Sequence, residues 1–147
     1  AEDRQRIAGL RVGFAIAQPE LTDLLNRLRQ PFNVNTLAQA AAIAALNDKA
    51  FLEESAALNA KGYRVLTEAF ERLGLEYVPS DGNFVLVRVG SDDNAGNRVN
   101  LGLLKQGVIV RPVGNYGLPQ WLRVTIGLPA ENAAFIAALE KTLAAAG

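Results

Sequence analysis

The chain has 147 residues, half of them hydrophobic, and its 15 Lys and Arg balance its 15 Asp and Glu to a formal charge of zero. That balance argues against a protein whose work is to neutralise a nucleic-acid backbone or coat an anionic membrane, since both draw affinity from clustered basic residues. Cys and His are both absent, which removes thiol and imidazole catalysis and the usual zinc ligands, so no metal site is expected. The chemistry left is that of Arg, Lys, Asp, Glu, Tyr, Ser or a bound cofactor.

A chain of this length buries roughly 70% of the surface its unfolded form exposes, enough for one domain with a core of its own. No window approaches the roughly 20 apolar residues of a membrane span, and the charged first ten residues do not resemble a signal peptide. The chain therefore reads as soluble, with the cytoplasm as the expected compartment. Met is absent altogether, which reads as a piece of a longer or processed product.

In chain order, Leu10 to Ala17 is a short apolar run between Gly9 and Pro19, read as a largely buried strand. Pro19 suits a first helical residue, and Leu21, Leu24, Leu25 and Leu28 form one stripe that ends near Arg29. Asn35 is a plausible N-cap for the Ala-rich helix Thr36 to Leu46. A long helix follows from about Ala50 to Leu73, with Tyr63, Leu66, Phe70 and Leu73 on one face and Gly74 as its left-handed stop.

The period then changes from helical to alternating. Glu76 to Val78 and Asn83 to Val89 read as strands around the turn Pro79 to Gly82. Phe84, Leu86 and Arg88 face one way on the second strand, Val85, Val87 and Val89 the other. Asn94 to Gln106 reads as a helix despite Gly96 and Gly102, which each cost about 1 kcal/mol against Ala. Val108 to Arg111 is a strand stopped by Pro112, Gly114 to Pro119 a loop, and Trp121 to Ile126 a strand stopped by Gly127. Pro129 opens the last helix, although Leu128 offers no capping side chain. The fold class is α/β: a two-layer sandwich of a small mixed or antiparallel sheet with helices, preceded by a strand and a helical arm.

Three arginines stand at the edges of apolar strands: Arg11, Arg111 and Arg123. A guanidinium there suits anion capture, because its planar fork gives paired hydrogen bonds to carboxylate or phosphate and stays charged at any working pH. Each could equally be an edge-strand solubility residue or half of an ion pair. The loop Pro112 to Pro119, between Arg111 and Arg123, could fold over a ligand with Tyr116 as a polar aromatic wall, or simply mark a turn. Asn83, at a strand entry, could orient a ligand or bond neighbouring backbone.

The segments AGLRVGFAIA (Ala8 to Ala17), PFNVNTLAQAAAIAAL (Pro31 to Leu46), SDGNFVLVRV (Ser80 to Val89), GVIVRPVGNYGLPQWLRVTIG (Gly107 to Gly127) and the PAEN start of the last helix resemble the C-terminal part of histidinol-phosphate aminotransferase. They follow that family's order and spacing. The family is one of fold-type-I enzymes using pyridoxal 5'-phosphate (PLP). The resemblance implies a large-domain end over residues 1–30, a small domain over 31–147, and a homodimeric parent acting on a small phosphate or amino-acid substrate. It implies that Arg11 pairs with the cofactor phosphate, that Arg123 is the substrate-anion arginine, and that Arg111 helps hold the substrate phosphate, with Asn83 and Tyr116 as further candidates.

One departure stands out. The family's Schiff-base lysine lies eight residues before the matching arginine, and here that position is Asp3, with Glu2 and Arg6 where Ser and Gly are expected. The chain by itself is therefore expected to be inactive and to bind no PLP, with no catalytic residue of its own. Two other readings stay open: a non-catalytic anion-binding or interaction domain, and another PLP enzyme of the same fold such as a phosphothreonine decarboxylase.

Overall fold

The computed structural model describes residues 8–145, so Glu2, Asp3 and Arg6 lie outside the described residues. The chain divides into two compact units at Ser55/Ala56, inside a long helix.

The first unit is helical. A 3-10 turn over Ala8–Leu10 leads through an irregular segment to α1 (Pro19–Leu28), then α2 (Thr36–Asn47) and the first turns of α3 (Lys49–Arg72). The expected strand over Leu10 to Ala17 does not form: beyond the turn, 11–18 carries no strand, and Ile16 is 91% exposed. An apolar run becomes a strand only where a neighbour accepts its ladder hydrogen bonds, and none of the described residues does so. Capping is as expected for α2, where the Asn35 side chain accepts from the Ala38 N–H at 2.8 Å. Asp48 ends α2 and caps α3, accepting from the Phe51 N–H at 3.0 Å. Pro19 occupies the start of α1, whose Leu21, Leu24, Leu25 and Leu28 all remain exposed.

The second unit is a four-stranded antiparallel sheet with one face packed by helices. Its strands are β1 (Tyr77–Val78), β2 (Phe84–Arg88), β3 (Arg111–Val113) and β4 (Leu118–Thr125), in the order β1-β2-β4-β3. Alternation divides them as read from the sequence: Val85 and Val87 of β2, with Leu122 and Val124 of β4, are buried among Leu66 and Phe70 of α3, Val99 and Leu103 of α4 (Ala95–Leu104), and Phe135 and Leu139 of α5 (Pro129–Ala145). Each such side chain contributes about 1.5 to 3 kcal/mol by leaving water. Phe70 sits centrally, edge-on to Phe135 with ring centroids 6.3 Å apart.

Glycines end two of the helices. Gly74 and Gly107 take φ of +68° and +78°, and the chain then turns back so that the Leu75 N–H reaches the Phe70 carbonyl and the Val108 N–H the Leu103 carbonyl. This is the left-handed stop that only glycine adopts without steric cost.

Two strand expectations and one about the last helix need correction. Pro112 does not stop a strand but lies inside β3, which begins only at Arg111. β3 is an edge strand, where a residue lacking an N–H costs no ladder bond, and a register shift follows between Pro112 and Val113. The expected loop Gly114 to Pro119 is a 3-10 turn over Gly114–Tyr116, closed by Gly117 at φ +78°, after which β4 starts at Leu118 rather than Trp121. The last helix does not lack a cap: Glu131 Oε2 accepts from the Leu128 N–H at 2.7 Å, and Asn132 Oδ1 from the Gly127 N–H at 2.9 Å. Both come from inside the first turn, as in a capping box. Among the described residues, no helix is long and apolar enough to cross a membrane.

Candidate anion site

The face of the sheet opposite the packed helices α3, α4 and α5 is where polar chemistry gathers. On β2 it carries Phe84, Leu86 and Arg88, each half-buried; on β4 it carries Trp121, Arg123 and Thr125. Register decides who meets whom. Arg123 stands opposite Leu86 on one side and opposite Arg111 of β3 on the other.

Directly opposed residues of an antiparallel pair project to the same side with Cβ atoms about 5 Å apart. Two guanidinium groups therefore share one patch of sheet surface. Among the described residues neither forms an ion pair, whereas four other arginines do: Arg27 with Asp23, Arg72 with Glu140, Arg88 with Glu76 and Arg98 with Asp92. Like charges placed opposite each other destabilise a sheet unless an anion sits between them, and paired guanidinium forks are the geometry that grips carboxylate or phosphate. Among the described residues, then, Arg111 and Arg123 are not halves of ion pairs.

Arg123 is also not at a strand edge. It lies on β4, between β2 and β3, where its Nε is buried with no hydrogen-bond partner among the described residues. Its Cζ lies over the Phe84 ring, 5.1 Å from the centroid. A buried N–H donor without a partner costs roughly 1 to 3 kcal/mol, so an acceptor at this edge of the guanidinium removes a real penalty.

The remaining candidates are placed less centrally. Arg11 is in the first unit, exposed, just after the 3-10 turn, with φ of +58°. That left-handed conformation is uncommon outside glycine. Arg11 is thus on no strand, contrary to the sequence reading. Tyr116 ends its turn 70% exposed. Asn83 is half-buried, and its carbonyl accepts the Ile126 N–H at 2.7 Å, extending the β2/β4 ladder.

Two positioning features escaped the sequence reading. Asn59 of α3 donates to the Gly82 carbonyl at 3.0 Å, holding the turn before β2 onto the helix. Gly96 of α4 lies where a Cβ would come within 2.5 Å of the Pro119 carbonyl oxygen and 3.1 Å of that of Trp121. Gly96 looks like a helix-weakening residue in the sequence; in the structure it lets α4 touch the backbone of the strand that carries Arg123.

Comparison with known proteins agrees with this architecture. The sequence profile of the family described as "Aminotransferase class I and II" matches residues 6–139. The chain belongs to this family. Among its relatives, Histidinol-phosphate aminotransferase 2 of Ralstonia nicotianae is 76% identical over 140 residues, which is 95% of this chain and 37% of that protein. Histidinol-phosphate aminotransferase 1 of Cupriavidus pinatubonensis is 75% identical over 137 residues, 93% of this chain and 36% of that protein. The crystal structure of histidinol-phosphate aminotransferase from Sinorhizobium meliloti in complex with pyridoxal-5'-phosphate superposes with a TM-score of 0.82 at 27% identity, covering 96% of this chain and 39% of that one. This aminotransferase-family chain thus spans a little over a third of the length of the relatives it matches.

Proposed function

We propose that this chain is the C-terminal portion of a histidinol-phosphate aminotransferase, and that Arg111 and Arg123 form its substrate-anion site. The observation that carries the reading is the direct opposition of two arginines on β3 and β4, neither of which has an acidic partner among the described residues. In the assembled enzyme an amino group passes from histidinol phosphate to 2-oxoglutarate, giving imidazole acetol phosphate and glutamate, a step of histidine biosynthesis. Either substrate is an anion. Two guanidiniums match a phosphate dianion better than one, because a single fork leaves half the charge uncompensated. Asn83 and Tyr116 are kept in this reading as further candidate substrate contacts.

In this reading residues 1–30 belong with the large domain of the parent and 31–147 form its small domain. The parent is a cytoplasmic homodimer. PLP, when bound in the assembled enzyme, supplies the electron sink for moving the amino group. Arg11 fits the cofactor phosphate: its guanidinium is exposed and, among the described residues, without an acidic partner. The lysine requirement is not met by the described residues, whose Lys49, Lys61, Lys105 and Lys141 are all exposed and lie on or beside helices. The chain alone therefore holds substrate anions without converting them. The identity of about three quarters to relatives carrying the histidinol-phosphate aminotransferase name favours this reading over a phosphothreonine decarboxylase.

The test is an NMR titration of the chain with histidinol phosphate. Shifts should cluster on β3 and β4, with affinity on the order of millimolar, equivalent to about 4 kcal/mol, and should vanish in Arg111→Ala and in Arg123→Ala. Shifts confined to α1 and α2 would sink the substrate assignment. Mixed with PLP, the chain should leave the absorbance of the free cofactor unchanged. Adding the remaining two thirds of the Ralstonia relative, lysine included, should restore transamination.

A further inference from the structure

The anion reading explains the arginines but not the ring beneath one of them. Phe84 opens β2 and pairs with Thr125, one step along the same sheet face from the Leu86 and Arg123 pair, so the Phe84 ring reaches Arg123 diagonally across the strands. Arg123 Cζ stands 5.1 Å from the ring centroid, inside the range of a cation–π contact. Phe84 itself is only half-buried, and strand alternation puts it on the face opposite the packed core.

We infer that Phe84 is a positioning residue for the anion site: it holds the Arg123 guanidinium over its ring so that its fork is fixed in place, opposite Arg111, for the bound anion. The inference rests on the anion-site reading above and adds to it. One observation and two physical arguments carry it. The Arg123 Nε is buried and without a partner among the described residues, and among them the side chain is held by something other than a hydrogen bond at that atom. The electron-rich ring face compensates part of the positive charge while the site is empty, which matters because Arg111 stands directly opposite. Arginine's long side chain otherwise carries substantial rotamer entropy, and a guanidinium already held in place loses less of it on binding.

A ring beneath the guanidinium also restricts the direction of approach. An anion must come in along the plane of the fork, where two parallel N–H donors are available, rather than onto its face. Phe84 thus favours carboxylate and phosphate, whose oxygens bridge two donors, over a monatomic anion such as chloride.

The test uses the whole chain with 15N labelling, following the Arg123 Nε–H resonance, with inorganic phosphate and sodium chloride as probes. Phe84→Leu keeps an apolar side chain and removes the ring; Phe84→Tyr keeps the ring. In the parent and in Phe84→Tyr the Nε–H signal should carry a ring-current shift, and phosphate should bind with the same affinity within twofold. In Phe84→Leu the ring-current shift should be lost, and phosphate affinity should fall roughly three- to fivefold, the size expected of a cation–π contact at a partly exposed site. The preference for phosphate over chloride should narrow with it. A merely structural role would leave that preference unchanged.

Phosphate binding by Phe84→Leu at the parent's affinity overturns the positioning role while leaving the anion site intact. A parent that shows no phosphate-dependent shift at Arg111 or Arg123 overturns the anion site, and the role of Phe84 with it. Should Phe84→Leu fail to fold, the ring-current shift in the parent and its retention in Phe84→Tyr decide the matter: its absence in both overturns the contact.

Discussion

Arg111 on β3 and Arg123 on β4 face each other directly across the strands, two like charges in the position where a sheet ordinarily places complementary groups. Such an arrangement stores a small electrostatic penalty until an anion arrives. Stability and binding should therefore respond to the same substitution in opposite directions.

Arg111→Thr should leave the chain as stable as the parent or more so, by a few tenths of a kcal/mol at low salt, because it removes the repulsion and places a β-branched residue on an edge strand. Added salt should shrink the difference by screening. Phosphate should reverse it, since only the parent gains binding energy. Urea denaturation with and without phosphate reads all three; a loss above 1 kcal/mol in phosphate-free buffer would contradict the unpaired assignment.

Gly96→Ala should destabilise by about 1 to 3 kcal/mol, even though Ala is the better helix former by about 1 kcal/mol. Its Cβ would lie 2.5 Å from the Pro119 carbonyl oxygen, a backbone atom of β4 that cannot rotate away. Because the displaced strand carries Arg123, phosphate affinity should fall along with the unfolding midpoint. Gly107→Ala, at a left-handed position with open space around it, should lose stability but keep the affinity of the folded chain.

Asn132→Ala should cost about 2 kcal/mol, and Glu131→Ala about 1 kcal/mol. Asn132 is buried at 3% exposure and makes two hydrogen bonds to Gly127, accepting from its N–H and donating to its carbonyl, so its loss strands buried backbone groups. Glu131 caps Leu128 in the open, where water replaces it. Equal losses in the two variants would contradict this ranking.

The Asp92 carboxyl should titrate near pH 2. The Arg98 side chain bonded to it, and the Asn94 N–H after that, hold it down from its ordinary 3.8 to about 2. A lowered folded-state value means that its contribution is complete above about pH 4 and is lost as pH falls through 2. Following the carboxyl carbon by NMR should give that midpoint, and Arg98→Ala should raise it most of the way toward 3.8. An unshifted midpoint in the parent would show that the pair does not persist in solution.

What the amino-acid sequence determined by itself is whatever depends on neighbours along the chain. The stripe Tyr63, Leu66, Phe70, the cap at Asn35, the helix start at Pro129, the glycine stops at 74 and 107 and the alternation on β2 all follow from local periodicity and backbone preference, and they stand in the structure. The candidate arginines were legible as residue types suited to anions, but their company was not. Which residue lies opposite Arg123 depends on register, and register is set by the whole ladder of β2, β4 and β3 packing their valines and leucines onto α3, α4 and α5. The same dependence explains the errors. Leu10 to Ala17 has strand composition but no strand beside it among the described residues, whereas Pro112 has the wrong composition for a central strand and lies harmlessly on an edge. Only the tertiary structure could bring Arg111 to Arg123 and place Phe84 beneath it, because those contacts join chain segments that no short-range pattern connects.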